Sequence, residues 1–220
     1  MPDIFDEVEE EYRAERVRET LKRYAGIILA AALLVVAVVT GWRVWQWRQA
    51  RQDQAAATLY MAATAQADTE GPKAALARAE SLAEMERLSE SAPPGYRTLA
   101  RLSAAAMLAK DGQLKQALGL WQAIAADGSA EPLLRQLATL LWVRHQIDTG
   151  DPQLLASRLK PLTEPGGAWR PLAEEGLALL DLRQKREPAA KQTLRELAQD
   201  ATAPDGVRQR ASLLLLQLGG

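Results

Sequence analysis

Residues 24–42 read YAGIILAAALLVVAVVTGW, nineteen consecutive residues without a charged side chain between Arg23 and Arg43. A helix rises about 1.5 Å per residue, so this stretch covers the roughly 30 Å hydrocarbon core of a bilayer. It predicts a single transmembrane helix. Tryptophan and arginine alternate directly after it, as they do where a helix passes from lipid into the headgroups. We expect these membrane-interface anchors: Trp42, Arg43, Trp45, Trp47 and Arg48.

Two other structures share such an apolar run. A buried core helix can be apolar all round, but it seldom continues this far with a single aliphatic hydroxyl, here that of Thr40. A cleaved signal peptide has a short basic leader and an apolar core of about 7 to 15 residues. The leader here is long and acidic. A retained membrane span is therefore favoured over both.

The charges divide unevenly around the span. Before Tyr24 there are eight acidic and five basic residues, and the whole chain has a net charge of −1, so neither side is basic enough to predict nucleic-acid binding. Lysine and arginine near a span set its orientation. Five precede it, and Arg43, Arg48 and Arg51 follow it closely. We expect the N-terminus in the cytoplasm and the large C-terminal domain outside it.

Four segments are predicted along the chain. They are an acidic and basic head helix (1–23), the transmembrane helix (24–42), a juxtamembrane helix (43–70) and a repeat domain (71–220). Phe5, Val8 and Tyr12 have helical spacing within the head. The head is either a solvated leader or a helix that docks on a cytoplasmic partner or the membrane surface, and its sequence leaves both open.

Breaks rich in glycine and proline recur after residue 68, and no run between them alternates with period two, so the sequence predicts an all-α fold. The breaks fall at 69–72, 92–95, 111–112, 127–129, 149–152, 164–167, 186–188 and 203–206.

A degenerate repeat runs through these helices. Its spacing, a glycine followed by a small and two bulky residues at intervals of 5, 4 and 3, resembles the tetratricopeptide repeat, a helix-turn-helix unit of about 34 residues. The three copies are Gly112, Ala117, Trp121, Ile124; then Gly150, Leu155, Leu159, Leu162; then Lys185, Ala190, Leu194, Leu197. Ala105, Val143 and Ala178 lie twelve residues before the second position of each copy.

These hairpins predict an α-solenoid, because a pair of helices cannot cover its own apolar faces. A fainter early unit centres on Ala63 and Ala75, and residues 206–218 are expected to form a closing helix. We expect Trp121, Trp142 and Trp169 to pack in the core.

Motifs for catalysis and for cofactors are missing. The sequence has no phosphate-binding loop, GxGxxG, HExxH or GxSxG, and no cysteine. His145, the single histidine, lies in an apolar helical stretch and is expected to be packed or half-exposed. Ser157–Lys160 matches SxxK by chance, and Glu174 and Glu175 are expected to be solvated. We predict a protein without enzymatic activity, metal or cofactor.

The first helices of the repeats would face a concave groove. Its candidate residues are mostly apolar, as a surface for unfolded or amphipathic segments would be. They are Leu99, Leu102, Leu137, Leu140, Arg144, Leu172, Glu175 and Leu179. The alternative, that these leucines form the core, stays open.

The order of parts resembles the YfgM-like family of bacterial inner-membrane proteins. The head DIFDEVEEEYRAERVRETLKRY, the span ending in GWRVWQWRQ, the segment DQAAATLYMAA and the closing APDGVRQRASLLLL carry the resemblance. It implies a non-enzymatic ancillary subunit of the SecYEG translocon, with a cytoplasmic N-terminus, a periplasmic tetratricopeptide-like domain and a periplasmic chaperone of PpiD type as a partner.

Two further hypotheses stand beside a translocon subunit that assists chaperone handover of secreted or membrane proteins. One is an envelope scaffold or stress-signalling adaptor that acts through its cytoplasmic head. The other is an enzyme of unrecognised type, which would need a bound cofactor or a polar cleft centred on His145.

Overall fold

The computed structural model describes the backbone of residues 4–219, and the side chains from Gly26 onward except those of Ile28 and Gly220. The first helix, α1 (Ile4–Ala67), begins within the predicted head. Residues 1–3 and the apolar face expected of Phe5, Val8 and Tyr12 lie outside what is described. The four predicted segment boundaries stay predictions.

The chain forms two compact units, unit 1 (Met1–Gln52) and unit 2 (Asp53–Gly220). In unit 1 the apolar side chains of the predicted span are exposed, at 62% for Leu29 and 65% for Leu34. No described side chain covers them, so they do not form a buried core helix. Among the described residues, one helix is long and apolar enough to cross a membrane, and it lies near the N-terminus.

Unit 2 is all helical in its described part. After α1 come α2 (Ala74–Ser91), α3 (Pro94–Lys110), α4 (Leu114–Ala126), α5 (Pro132–Arg144), α6 (Pro152–Leu159), α7 (Arg170–Arg183), α8 (Glu187–Gln199) and α9 (Asp205–Gln217). A 3₁₀ turn at Lys160–Thr163 follows α6. The predicted breaks coincide with the connections, which confirms the all-α prediction.

Local chemistry sets the helix ends. Proline lies in the first turn of α3, α5, α6, α7 and α8, where its missing N–H costs nothing. The Asp151 carboxylate caps α6 by accepting from the backbone N–H groups of Gln153 (3.1 Å) and Leu154 (3.4 Å). Gly112 (φ 80°) and Lys185 (φ 61°), equivalent in the repeat, both turn the chain with a left-handed backbone.

The repeat positions form the core of unit 2. The small and bulky residues of all three copies are buried, as are Ala105, Val143 and Ala178. Buried clusters follow one another along the chain, and each is shared by successive helices: α1 to α3, α3 to α5, α5 to α7 and α7 to α9. This confirms stacked hairpins with α9 as the last helix.

The early unit is shifted from its predicted register. Ala63 is buried as expected, but Ala75 is exposed. Ser81 takes the buried position instead, and its hydroxyl donates to the Ala63 carbonyl oxygen at 2.6 Å. In α2 the residue that meets Ala63 therefore lies six positions beyond Ala75.

Two arginine–aspartate contacts close hairpins in the same way. Arg101 of α3 pairs with Asp127 after α4 at 3.0 Å, and Arg170 of α7 pairs with Asp200 after α8. Each aspartate also accepts from a residue two positions on; Asp200 accepts from the Thr202 backbone N–H (2.8 Å) and hydroxyl (2.6 Å). These Thr202 bonds, and then Arg170, lower the pKa of Asp200 from 3.8 to about 2.

We expect the Asp200 contact to make the stability of unit 2 depend on pH. Since folding depresses this pKa, the stabilisation is complete above 3.8 and is lost as pH falls towards 2. The difference in melting temperature between wild type and Asp200→Asn, followed by circular dichroism, should shrink across that window. Thr202→Ala keeps the carboxylate but removes one donor, so its pH-dependent loss of stability should be smaller and should be complete at a higher pH than in wild type. A difference between wild type and Asp200→Asn that does not vary with pH would contradict the assignment.

Adjacent leucines of α6 provide a test of the core. Leu155 is 1% exposed and Leu154 is 45% exposed. Leu155→Ala should lower the free energy of unfolding by about 2 to 5 kcal/mol, through lost burial and a residual cavity. Leu154→Ala, with the same change in helix propensity, should stay within about 0.5 kcal/mol in thermal or urea unfolding of the detergent-solubilised chain. Similar losses of unfolding free energy in the two variants would contradict the described orientation of α6, in which Leu155 is buried and Leu154 is exposed.

Candidate functional site

A cavity of about 500 Å³ opens between α5, α6, α7 and α9 in unit 2. Its wall is mainly aliphatic, and a few charged groups lie among the leucines. The lining residues are Leu140, Val143, Arg144, Ile147, Asp148, Leu159, Leu172, Glu175, Gly176, Leu179, Arg210, Leu213, Leu214 and Gln217. We call this the C-terminal cavity.

The sequence-predicted groove residues divide between this cavity and the core. Leu140, Arg144, Leu172, Glu175 and Leu179 line the C-terminal cavity. The other three do not line it: Leu102 is buried and Leu137 half-buried in the cluster shared by α3, α4 and α5, and Leu99 is half-buried. The open alternative, that these leucines belong to the core, therefore describes Leu102 and Leu137, and Leu140 is both a buried core residue and part of the cavity wall.

Sequence reasoning missed the α9 side of the cavity. Residues 206–218 were assigned a closing role, which requires one apolar face. Yet four consecutive leucines, 213 to 216, point around the helix, and Leu213 is 59% exposed and Leu216 71% exposed. That excess of leucine over what one buried face needs is the sequence signal for the apolar surface that α9 leaves exposed.

An ion pair between α7 and α9 lies in the otherwise apolar wall of the C-terminal cavity. Glu175 of α7 is 7% exposed, and its carboxylate accepts from Arg210 of α9 in a two-pronged contact, Nε to Oε1 at 2.6 Å and Nη2 to Oε2 at 2.7 Å. The carboxylate raises the pKa of Arg210, against a smaller lowering by burial. The expectation that Glu175 is solvated is thus wrong, because α9 brings a guanidinium to it from 35 residues away.

The neighbouring carboxylate has its own partner. Glu174 pairs with Arg170 one turn earlier in α7 at 3.1 Å. The two glutamates therefore point to different arginines instead of converging on one reacting group. Both oxygens of Glu175 are already engaged, so this arrangement joins helices and does not form an acid–base pair.

Gly176 allows α6 and α7 to approach closely under the cavity. A Cβ atom at this position would lie 2.8 Å from Leu159 Cδ1, closer than real Cβ contacts come. The glycine therefore leaves room for the end of the Leu159 side chain beneath the cavity. Nothing in the repeat template singled it out.

His145 packs against the core and serves no polar cleft. Its ring stacks on that of buried Trp121, with centroids 4.6 Å apart and an interplanar angle of 21°. Burial, and then the positive charge of Arg144, lowers its pKa. Within the described residues, no three His, Asp or Glu side chains are grouped to hold a metal ion.

The three tryptophans of unit 2 are structural. Trp121 is fully buried, and Trp142 and Trp169 pack half-buried against the core. The indole N–H of Trp169 donates to the Leu133 carbonyl oxygen at 3.0 Å and so ties the start of α7 to α5. The prediction that they belong to the core is confirmed.

In unit 1 the predicted interface anchors Trp42, Arg43, Trp45, Trp47 and Arg48 are all exposed. The rings of Trp42 and Trp45 pack at a tilt, with centroids 5.3 Å apart. Their position at a membrane surface stays a prediction.

A family model described as a tetratricopeptide repeat-like domain matches residues 18–175. The match starts before the apolar stretch and ends at Glu175, within α7. No curated protein and no solved structure matches the chain.

We expect that replacing only one member of the Glu175–Arg210 pair lowers the stability of unit 2 more than replacing both. Arg210→Met should destabilise unit 2 by about 1 to 3 kcal/mol, because it leaves a buried acceptor unsatisfied. Glu175→Leu combined with Arg210→Met should recover most of this loss, since an apolar pair needs no partner. Denaturant unfolding of the three proteins measures both effects; a double variant as unstable as Arg210→Met would show that the pair is not coupled.

Proposed function

The chain belongs to the tetratricopeptide repeat-like domain family, and from that premise we propose that it is a membrane-anchored module that binds another protein through its C-terminal cavity. Domains of this kind support protein–protein interaction, because stacked hairpins present an extended concave surface. The observation that carries the proposal is the cavity's wall of leucines from α5, α7 and α9.

The chemistry of the wall favours an apolar helical segment as the occupant. Both oxygens of Glu175 already accept from Arg210, so this buried carboxylate is engaged within the protein, and leucines make up most of the remaining wall. A volume of about 500 Å³ suits a few aliphatic side chains spaced along one face of an amphipathic helix. Arg144 and Asp148, of opposite charge at the cavity, would orient that helix.

The exposed apolar helix of unit 1 supports anchoring in a membrane. Contiguous aliphatic surface of this extent normally contacts lipid or another protein. The lysine and arginine bias favours a cytoplasmic N-terminus, which puts unit 2 on the periplasmic side of a bacterial inner membrane.

A finer proposal places this module beside the SecYEG translocon. There it would assist the handover of secreted or membrane proteins, with a periplasmic chaperone of PpiD type as a partner. The resemblance to YfgM-like proteins, the single span and an apolar cavity suited to unfolded segments support it. The second candidate is an envelope scaffold or stress-signalling adaptor, favoured by the eight acidic residues of the head.

Photo-crosslinking in native membranes tests both the binding of a protein in the C-terminal cavity and the association with the translocon. A photoreactive residue at Leu213, in the cavity, should give polypeptide adducts, whereas the same residue at Leu216, also on α9 but outside the cavity, should give few. Photoreactive residues at Leu33 and Trp45 should give adducts with translocon subunits, identified by mass spectrometry.

The outcomes separate the proposals. Equal adducts at Leu213 and Leu216 would remove the cavity as the binding site. If the adducts at Leu33 and Trp45 contain only envelope proteins other than translocon subunits, the translocon proposal is excluded and the scaffold proposal is favoured. Deletion of residues 1–20 should abolish function only if the scaffold alternative is right.

A further inference from the structure

Two arginines and a tryptophan share one face of α1 in unit 1. Arg43, Trp47 and Arg51 are spaced four residues apart, so successive side chains are rotated by about 40° and span about 80° of the helix surface. The Arg51 guanidinium lies over the Trp47 ring, 3.9 Å from its centroid. Small Ala50 leaves a shallow hollow beside Arg43 and Trp47.

This face is strongly positive. No acidic residue occurs between Glu19 and Asp53. Arg43, Arg48 and Arg51 are exposed, and within the described part of the chain no carboxylate forms an ion pair with them. A phosphate could therefore approach without repulsion from the protein.

The face also lies at a suitable depth. Arg43 directly follows the apolar stretch, and the headgroup layer beyond the hydrocarbon is about 5 to 7 Å thick. Helical side chains lean towards the N-terminus, so the Arg51 guanidinium lies near the level of Trp47, about 6 Å above the Arg43 backbone. Both guanidinium groups thus fall within the headgroup layer if the helix spans a bilayer.

We propose that Arg43, Trp47 and Arg51 form a binding site for the phosphate of an anionic phospholipid, of the phosphatidylglycerol type. This inference rests on the proposed membrane anchoring. A guanidinium binds phosphate oxygens through paired N–H groups, and stacking on Trp47 holds that of Arg51 in place before the lipid arrives. A zwitterionic lipid is disfavoured, because its ammonium group would meet arginines with no carboxylate to receive it.

Native mass spectrometry of the full-length chain in detergent tests the site, with equal amounts of phosphatidylglycerol and phosphatidylethanolamine added. The wild type should retain phosphatidylglycerol preferentially. Arg43→Gln and Arg51→Gln should each weaken its retention roughly fivefold. Arg48→Gln is the matched control: it removes the same charge from a residue that neither stacks on Trp47 nor lines the hollow, about 140° around the helix from Arg43, and should weaken retention less than Arg51→Gln.

Several results would overturn the site. Equal retention of the two lipids, an equal loss in Arg48→Gln and Arg51→Gln, or displacement of the lipid by inorganic phosphate would each do so; circular dichroism verifies that the variants keep their helicity. Flotation with vesicles separates this inference from anchoring. If the chain does not float together with vesicles of either composition, the membrane anchoring itself is overturned. If it floats equally well with vesicles of either lipid, only the phosphatidylglycerol site is overturned.

Discussion

Helices in unit 2 can stack because small side chains lie where they cross. Ala105, Ala117, Ala178 and Ala190 are completely buried, and Gly176 leaves room for the Leu159 side chain. Interhelical distances of about 8 to 10 Å depend on the side chains at the contact, so larger residues there would push the hairpins apart. The bulky partners Trp121, Leu159 and Leu194 then fill the space beside each crossing. Every other feature of the unit, including the C-terminal cavity, depends on this alternation of small and large residues.

Much of this fold could be predicted, because its determinants are local. Glycine and proline interrupt helices wherever they occur, and a spacing of 5, 4 and 3 marks one helix face without knowledge of its neighbour. Even Lys185, which replaces the turn glycine, adopts the left-handed backbone that Gly112 adopts at the same place in the first copy. The register at Ala75 was predicted wrongly: the early unit follows the template only faintly, and Ser81, six residues further on, takes the buried position against Ala63.

The site was harder to predict, because it depends on helices distant in sequence. Five of the candidate residues line the C-terminal cavity, and their role as a binding groove stays a prediction, whereas Leu102 and Leu137 lie in the cluster shared by α3, α4 and α5. The pairing of Glu175 with Arg210 requires α9 to fold back on α7, which no local pattern encodes. Within the cavity this pair adds orientation more than stability, since a buried ion pair loses in desolvation much of what it gains in attraction.

The position of α9 at the end of the stack has an energetic consequence. A solenoid is held by nearest-neighbour interfaces, and α9, the last helix described, packs on α7 and α8. The outermost helix of such a stack opens locally at a lower free energy than its interior. Under the proposed function, a segment in the cavity would contact α9, so its affinity would include the free energy of ordering that helix.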